Sequence, residues 1–144
     1  QSDSLLFLGV LLFLFRLLLG LFIPMMTNQR MGLSAHLEGI MNGMFLVILG
    51  LIWKKLVIND KWLTSVYWLT LYSSFANFVA VTMAAITGSG KMMPIAGGKE
   101  GTLVMEGFIS FLLISLALAM ISVCLIVLKG LLRYIMQPSE QGIA

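Results

Sequence analysis

The polar side chains able to do chemistry are concentrated in one stretch of an otherwise apolar chain. His36 is the single histidine in 144 residues, and Glu38 and Asn42 follow it within seven residues. Hydrocarbon tolerates polar side chains poorly unless they have a partner or a function. An imidazole, a carboxylate and a carboxamide can together bind a metal, move protons and orient a polar substrate. This cluster is therefore the first candidate site.

His36 has two interpretations. It is either an interfacial histidine without a chemical role, or a metal or haem ligand or general base. A zinc site needs three or four protein ligands, and a bis-histidine haem needs two histidines. One histidine suffices as the proximal ligand of a haem whose opposite iron position stays free. A free position suits substrate binding better than electron transfer.

Five further polar residues lie in or near the hydrophobic stretches. For the carboxamides of Asn42 and Asn77, interhelical hydrogen bonds worth about 0.6 kcal/mol each are slightly favoured over a substrate-orienting role. Glu38 and Glu106 are near the interface, where each is either solvated or neutral. Arg16 has three options: a pair with Glu106, snorkelling to the interface, or contact with an acidic group of a cofactor.

Composition indicates that lipid is the solvent of this chain. It is 60% hydrophobic and 10% charged, its mean hydropathy is +1.03, and a soluble domain carries about 25% charge. A membrane span needs about 20 mostly apolar residues. Four stretches qualify, at 4–23, 34–53, 62–87 and 102–132. We therefore predict an all-α, integral membrane four-helix bundle that forms a single domain over 1–144.

Several classes of function are disfavoured. The nine basic residues are scattered and the net charge is only +3, so no nucleic-acid partner is expected. Cys124 is the single cysteine, which excludes an internal disulfide. The glycine-rich segment is not a phosphate-binding loop, because Gly90-Lys91 is followed by Met92 rather than Ser or Thr. The first span lacks a basic n-region and a small-residue cleavage site, so we expect it to be retained.

Local signals set the expected helix ends and the orientation. Pro24 ends the first span, and Ser34 is a good N-cap for the second. Lys and Arg number five on the side of the termini and three on the opposite side, which favours cytoplasmic termini. The five are Lys54, Lys55, Lys61, Lys129 and Arg133, and the three are Arg30, Lys91 and Lys99.

Alternating spans bring the polar side chains to similar depths. At about 1.5 Å per residue, measured from the end that bears the first and third connections, His36 is roughly 3 Å deep, Asn42 12 Å, Arg16 10 Å, Asn77 15 Å and Glu106 6 Å. These depths predict a polar pocket in one half of the membrane. Gly39 and Gly43 lie on the helix face of His36 and are four residues apart, a spacing that predicts close helix packing.

Two segments resemble the hydroxylaminobenzene mutase family: RMGLSAHLEGIMNG at 30–43 and MMPIAGG at 92–98. The resemblance covers nearly the whole chain, including the four-span plan. It implies an isomerase of nitroaromatic degradation that converts hydroxylaminobenzene to 2-aminophenol by moving the hydroxyl from nitrogen to the ortho carbon. The enzyme would be a multi-pass protein of the bacterial inner membrane.

A more distant resemblance is to styrene oxide isomerase, a trimeric four-span protein with haem b. Its Ala-His-x-x-x-x-x-Asn-Gly-Met string matches this chain from Ala35 to Met44. The resemblance implies that His36 is the axial ligand of haem iron, that Asn42 orients the substrate, and that Asn77 matches an asparagine on the third helix. A tyrosine used in epoxide opening falls at Val81, which argues against epoxide isomerisation as the main reaction.

The two resemblances together imply a homotrimeric haem b isomerase that acts on a small aromatic hydroxylamine. The substrate would enter from the lipid or from the side of the long loop, which could form a lid. Two alternatives stay open. One is a small transporter, although the first span has Arg16 where four-span exporters use a carboxylate. The other is a haem-bearing or structural subunit of a larger membrane complex.

Overall fold

The computed structural model describes residues 1–137, and the polar residues after them lie outside the described part. Four long helices make up the fold: α1 Ser2–Leu21, α2 Gln29–Ile52, α3 Asp60–Thr87 and α4 Leu103–Met136. All four are long and apolar enough to cross a membrane. The all-helical, four-span prediction is therefore confirmed.

The helix ends differ from the predicted ones, most of all at α2. The N-cap of α2 is Asn28, whose side chain accepts a hydrogen bond from the Met31 amide at 3.0 Å, and not Ser34. The helix thus begins five residues before the predicted start, and Ser34 lies inside it. The amide group of Asn28 also donates to the main-chain oxygens of Ala96 and Gly97. This second role, which sequence spacing does not reveal, holds the cap in place.

The early start of α2 changes the predicted depths. Counted from the observed helix ends, Arg16 lies about 8 Å deep, His36 about 10 Å, Glu38 about 14 Å and Asn77 about 15 Å. Asn42 lies about 20 Å deep, just past the middle of its helix. Counted along the helices, Asn42 therefore lies further from the loop end than the other polar residues do.

Successive helices pack against one another, and α1 and α2 approach most closely. Gly9 of α1 faces Gly43 of α2 so tightly that a Cβ on Gly43 would lie 2.9 Å from the Gly9 oxygen. This contact confirms the close packing predicted from Gly39 and Gly43. Near the termini one apolar cluster draws on all four helices, with Leu5, Leu46, Val66 and Val123 among its buried members.

The opposite end carries the long loop between α3 and α4. Helix α3 ends at Gly88, whose φ of 76° is the left-handed conformation that favours glycine. The loop contains one 3₁₀ turn, Pro94–Ala96. A second apolar cluster lies under it and includes Met31, Ala35, Val81 and Ile109. The candidate polar residues therefore lie between an apolar core and a structured loop.

Candidate active site

The imidazole of His36 is fixed by the main chain of the preceding helix. Its Nδ1 lies 2.7 Å from the carbonyl oxygen of Arg16. A carbonyl oxygen can only accept, so Nδ1 is the donor, and in the tautomer that has its single hydrogen on Nδ1 the Nε2 nitrogen has a free lone pair. Gly20 makes room for the ring, because a Cβ there would lie 2.8 Å from Nδ1. The ring is half-buried against α1.

This arrangement fits a haem iron. Metal-binding histidines commonly donate the second ring N–H to a carbonyl or carboxylate, which sets the ring orientation and the free nitrogen. Within residues 1–137, no group of three or more His, Cys, Asp or Glu side chains could hold a metal ion. Haem iron needs only one protein ligand. The donor set of the described chain therefore suits a haem better than a metal held by protein alone.

Arg16 is the largest fully buried side chain of the described residues. Its Nη1 donates to Oγ1 of Thr82 at 3.2 Å, and its Cζ lies 4.2 Å from the ring centroid of Phe78. Its stem crosses α2 at Gly39, where a Cβ would overlap with it. The guanidinium therefore points into the bundle and does not snorkel to the interface.

Glu38 joins α2 to α3. Its Oε2 accepts a hydrogen bond from Nδ2 of Asn77 at 3.0 Å, and its Oε1 accepts one from the Ser34 hydroxyl at 3.1 Å. The carboxylate and the carboxamide thus form one polar pair between the two helices. Asn42 lies one turn deeper on α2, about 40° around the helix from Glu38.

Glu106 has a different place from that of the other candidates. Its carboxylate accepts hydrogen bonds from the main-chain amides of Gly90 (3.0 Å), Lys91 (3.1 Å) and Gly101 (2.9 Å). All three amides belong to the long loop. Glu106 therefore organises this loop, and its oxygens bond to the loop rather than to Arg16.

The loop is also tied to the start of α2. Asn28 bonds to the oxygens of Ala96 and Gly97, and Nη2 of Arg30 donates to the oxygen of Ile95 at 3.3 Å. At the exposed edge of the loop an ion pair of 2.6 Å raises the pKa of Lys91 and lowers that of Glu100, through their hydrogen bond and charge attraction. The loop is thus a structured wall.

A cavity of about 500 Å³ lies between this wall and α2. Its apolar lining comes from Leu33, Leu37 and loop residues 92–96, and its polar lining from Arg30, Ser34 and Glu38. The volume falls in the usual range for small-molecule pockets, and an apolar wall with a few polar groups is typical of them. The cavity could therefore accept a small aromatic molecule with a polar group near Glu38.

The candidate residues form two groups rather than one pocket. The step from His36 to Glu38 is about 200° of rotation around the axis of α2, so the two side chains point in nearly opposite directions. His36 faces α1, whereas Glu38, Asn77 and the cavity lie on the α3 side. The described chain therefore brings Glu38 and Asn77 together and places His36 on another edge of α2.

Sequence comparison places these features in a known family. The styrene oxide isomerase family model matches residues 1–132. The chain belongs to the styrene oxide isomerase family. It is 49% identical to hydroxylaminobenzene mutase HabB of Ectopseudomonas oleovorans over 132 residues, which are 90% of this chain and 80% of that protein. It is 42% identical to hydroxylaminobenzene mutase HabA of the same organism over 127 residues, 87% of this chain and 94% of that protein.

The predicted resemblance to both groups is thereby confirmed, and this styrene oxide isomerase family member is an isomerase and a multi-pass membrane protein. No solved structure gives a significant match. At Val81, where the resemblance placed a tyrosine of the epoxide isomerase, the side chain is fully buried in the apolar cluster under the loop. Hydrocarbon at this position offers no group that could open an epoxide.

Two site residues of this family member were missed in the sequence. Thr82 and Phe78 are the partners of Arg16, but a threonine and a phenylalanine are ordinary in a membrane span. The signal that could have identified them is the distance of each residue from the loop end of its helix. Arg16 and Thr82 are both five residues from the loop end of their helices, about 8 Å deep. Matching polar residues by depth would have paired them.

Proposed function

We propose that this isomerase moves the hydroxyl group of an arylhydroxylamine from nitrogen to the ortho ring carbon and so forms a 2-aminophenol. The two relatives named hydroxylaminobenzene mutase support this reaction over epoxide isomerisation. The structural observation that carries the proposal is the bond from His36 Nδ1 to the Arg16 oxygen, because it leaves Nε2 available to bind a metal. The substrate is small, neutral and aromatic, which suits the apolar cavity beside Glu38.

The overall change is balanced without any other reactant. The N–O bond breaks, a bond forms between the same oxygen and the ortho carbon, that carbon loses its proton, and the nitrogen gains one. Haem b, which Nε2 of His36 would hold, would supply an iron that can act as a Lewis acid. Side chains of the protein orient the substrate and transfer its proton.

Those side chains orient the substrate and carry its proton. Asn42 and Asn77 are carboxamides on the α2–α3 side and can hold the hydroxylamino group. Glu38 is the carboxylate bonded to Asn77, so its oxygens can take the proton from the ortho carbon and return it to nitrogen. The apolar walls of residues 33, 37 and 92–96 limit water near the cavity, which favours return of the oxygen to the ring.

We further propose that the enzyme is a homotrimer. His36 and Glu38 point about 200° apart around α2, so one chain cannot present both to one small molecule. In a cyclic oligomer, the His36 edge of one copy meets the other edge of its neighbour, which would complete the site. A trimer is the assembly that the resemblance to styrene oxide isomerase implies.

The proposed setting is the bacterial inner membrane with both termini in the cytoplasm. The excess of Lys and Arg at the ends of the helices near the termini supports this orientation. The long loop would then lie on the outer side, with the cavity beneath it. Arylhydroxylamines partition into lipid, so the substrate could reach the cavity from the bilayer or past the loop.

Product analysis with labelled oxygen tests the proposed reaction. Purified protein in lipid is given hydroxylaminobenzene that carries ¹⁸O in its hydroxyl group, and in parallel unlabelled substrate in H₂¹⁸O. We expect 2-aminophenol that keeps the label in the first case and acquires none in the second. Absence of 2-aminophenol, with a well-folded protein, would contradict this substrate and reaction for the isomerase. Label exchange with water would contradict intramolecular transfer.

A further inference from the structure

The bundle interior contains several buried polar atoms whose hydrogen-bonding capacity the described residues leave unused. Among residues 1–137, the buried side-chain atoms without a hydrogen-bond partner are Nε and Nη2 of Arg16, Oδ1 of Asn77 and Oγ of Ser74. Buried polar groups are almost always paired, and leaving one unpaired costs as much as losing a hydrogen bond. A charged guanidinium in a membrane span makes this requirement stricter.

Neighbouring residues of α3 connect Arg16 with Asn77. Ser74, Phe78 and Thr82 follow one another at four-residue spacing on one face of α3, and Asn77 directly precedes Phe78. Arg16 contacts this face twice, through Thr82 and through the ring of Phe78, which is next to Asn77 in the chain. Glu38, the hydrogen-bond partner of Asn77, directly precedes Gly39, the residue that the Arg16 side chain crosses.

The types of the unpaired atoms are complementary. The Nε–H and Nη2–H bonds lie on one edge of the planar guanidinium and point in the same direction. They need an acceptor, whereas Oδ1 of Asn77 needs a donor. The nearest carboxylate cannot satisfy both, because Glu38 accepts only and already binds Ser34 and Nδ2 of Asn77.

We propose that a bound water molecule bridges the guanidinium of Arg16 to Oδ1 of Asn77 inside the bundle. Its lone pairs accept from Nε and Nη2, and one of its hydrogens goes to Asn77. Ordered waters that bind two to four polar partners are a normal part of protein interiors. The bridge makes Arg16 a positioning residue for the Asn77–Glu38 pair. This inference does not depend on which reaction the protein catalyses.

Water-edited NMR on the full chain in lipid bilayers tests the bridge directly. The sequence has four asparagines, Asn28, Asn42, Asn59 and Asn77, so ¹³C,¹⁵N-asparagine gives few signals, and Asn77→Leu assigns one of them. We expect rapid transfer of magnetisation from water to the side-chain carbonyl of Asn77, although its oxygen is buried. A wild-type Asn77 carbonyl that receives none would overturn the proposal, whatever the variants do.

Two variants assign the water to Arg16. Arg16→Met removes both donors and should abolish the transfer to Asn77 while leaving Asn59 at the start of α3 unchanged. Thr82→Val is the matched control, because it removes the partner of Nη1 but leaves the free edge intact, and it should retain the transfer. If Arg16→Met does not fold, Arg16→Lys serves instead, and it should weaken the transfer and shift the Nδ2 resonance of Asn77. Unchanged transfer and shift in the folded Arg16 variant would contradict the proposal.

Discussion

Nδ1 of His36 lies 2.7 Å from the main-chain oxygen of Arg16, so the imidazole on α2 is oriented by the backbone of α1. The side chain of Arg16 extends away from His36 and donates a hydrogen bond to Thr82 on α3. Arg16 therefore contacts both groups of candidate residues, the His36 edge through its backbone and the α3 side through its guanidinium.

The glycine under the imidazole offers a test of His36 as a ligand. A Cβ at Gly20 would lie 2.8 Å from Nδ1 and 2.9 Å from Cε1, so Gly20→Ala should displace the ring and break its bond to Arg16. Loss of such an orienting bond lowers metal affinity by about tenfold or more. We expect less haem per purified protein, measured by the pyridine haemochrome assay. Gly107→Ala is the control, because a Cβ at Gly107 meets nothing within 4 Å. Equal haem content in both variants would contradict the role given to Gly20.

Gly39 tests the path of the buried arginine. A Cβ at this position would overlap with the Arg16 side chain, so Gly39→Ala should lower the free energy of unfolding by about 1–3 kcal/mol. Thermal unfolding in detergent measures the change, with Gly107→Ala again as the comparison. If Gly39→Ala were as stable as Gly107→Ala, the close crossing of Arg16 over α2 would be wrong.

Glu38 tests the proton transfer. Glu38→Gln keeps the size of the side chain but removes the carboxylate, and loss of a positioned acid–base group costs about 10²-fold or more in rate. We expect kcat for 2-aminophenol formation to fall by this factor while haem content stays at the wild-type level. Glu100→Gln, an exposed carboxylate of the loop, is the matched control and should leave both unchanged. A Glu38→Gln variant with wild-type kcat would remove Glu38 from the mechanism.

Glu106 tests the order of the loop. Its carboxylate accepts from three loop amides, and a glutamine side chain at this position would have one acceptor oxygen in place of two. Glu106→Gln should destabilise the closed loop by about 1–3 kcal/mol, which means hydrogen exchange faster by about 5-fold to 150-fold at Gly90, Lys91 and Gly101. Mass spectrometry of loop peptides measures the rates. Glu100→Gln should show the wild-type rates, and equal rates in Glu106→Gln would argue against this role.

The main features of the fold could be predicted from sequence because they follow from hydropathy and length. In lipid, the backbone polar groups of four apolar stretches of this length are hydrogen-bonded when each stretch forms a helix. The four-residue spacing of Gly39 and Gly43 predicted the closest contact between helices. The start of α2 could not be predicted in this way. Ser34 and Asn28 are both good N-caps, and the bonds of Asn28 to Ala96 and Gly97, residues distant in sequence, decide between them.

The candidate site was predictable residue by residue but not as an arrangement. His36, Glu38 and Asn77 were identified because polar groups in a span need partners. The 3.6-residue period places His36 and Glu38 on different edges of α2, but only the packing of the bundle shows that His36 faces α1 and Glu38 faces α3. The partners of Glu106 are main-chain amides, which cannot be recognised from the residue types of the loop.

The absorption spectrum of the purified protein tests the central claim, that Nε2 of His36 binds a haem iron, most directly. The account predicts a Soret band in the wild-type protein and its loss in His36→Ala, with Gly107→Ala as a folded control that keeps the band. A colourless wild-type protein that is fully folded and active, or a His36→Ala variant with an unchanged Soret band, would contradict it.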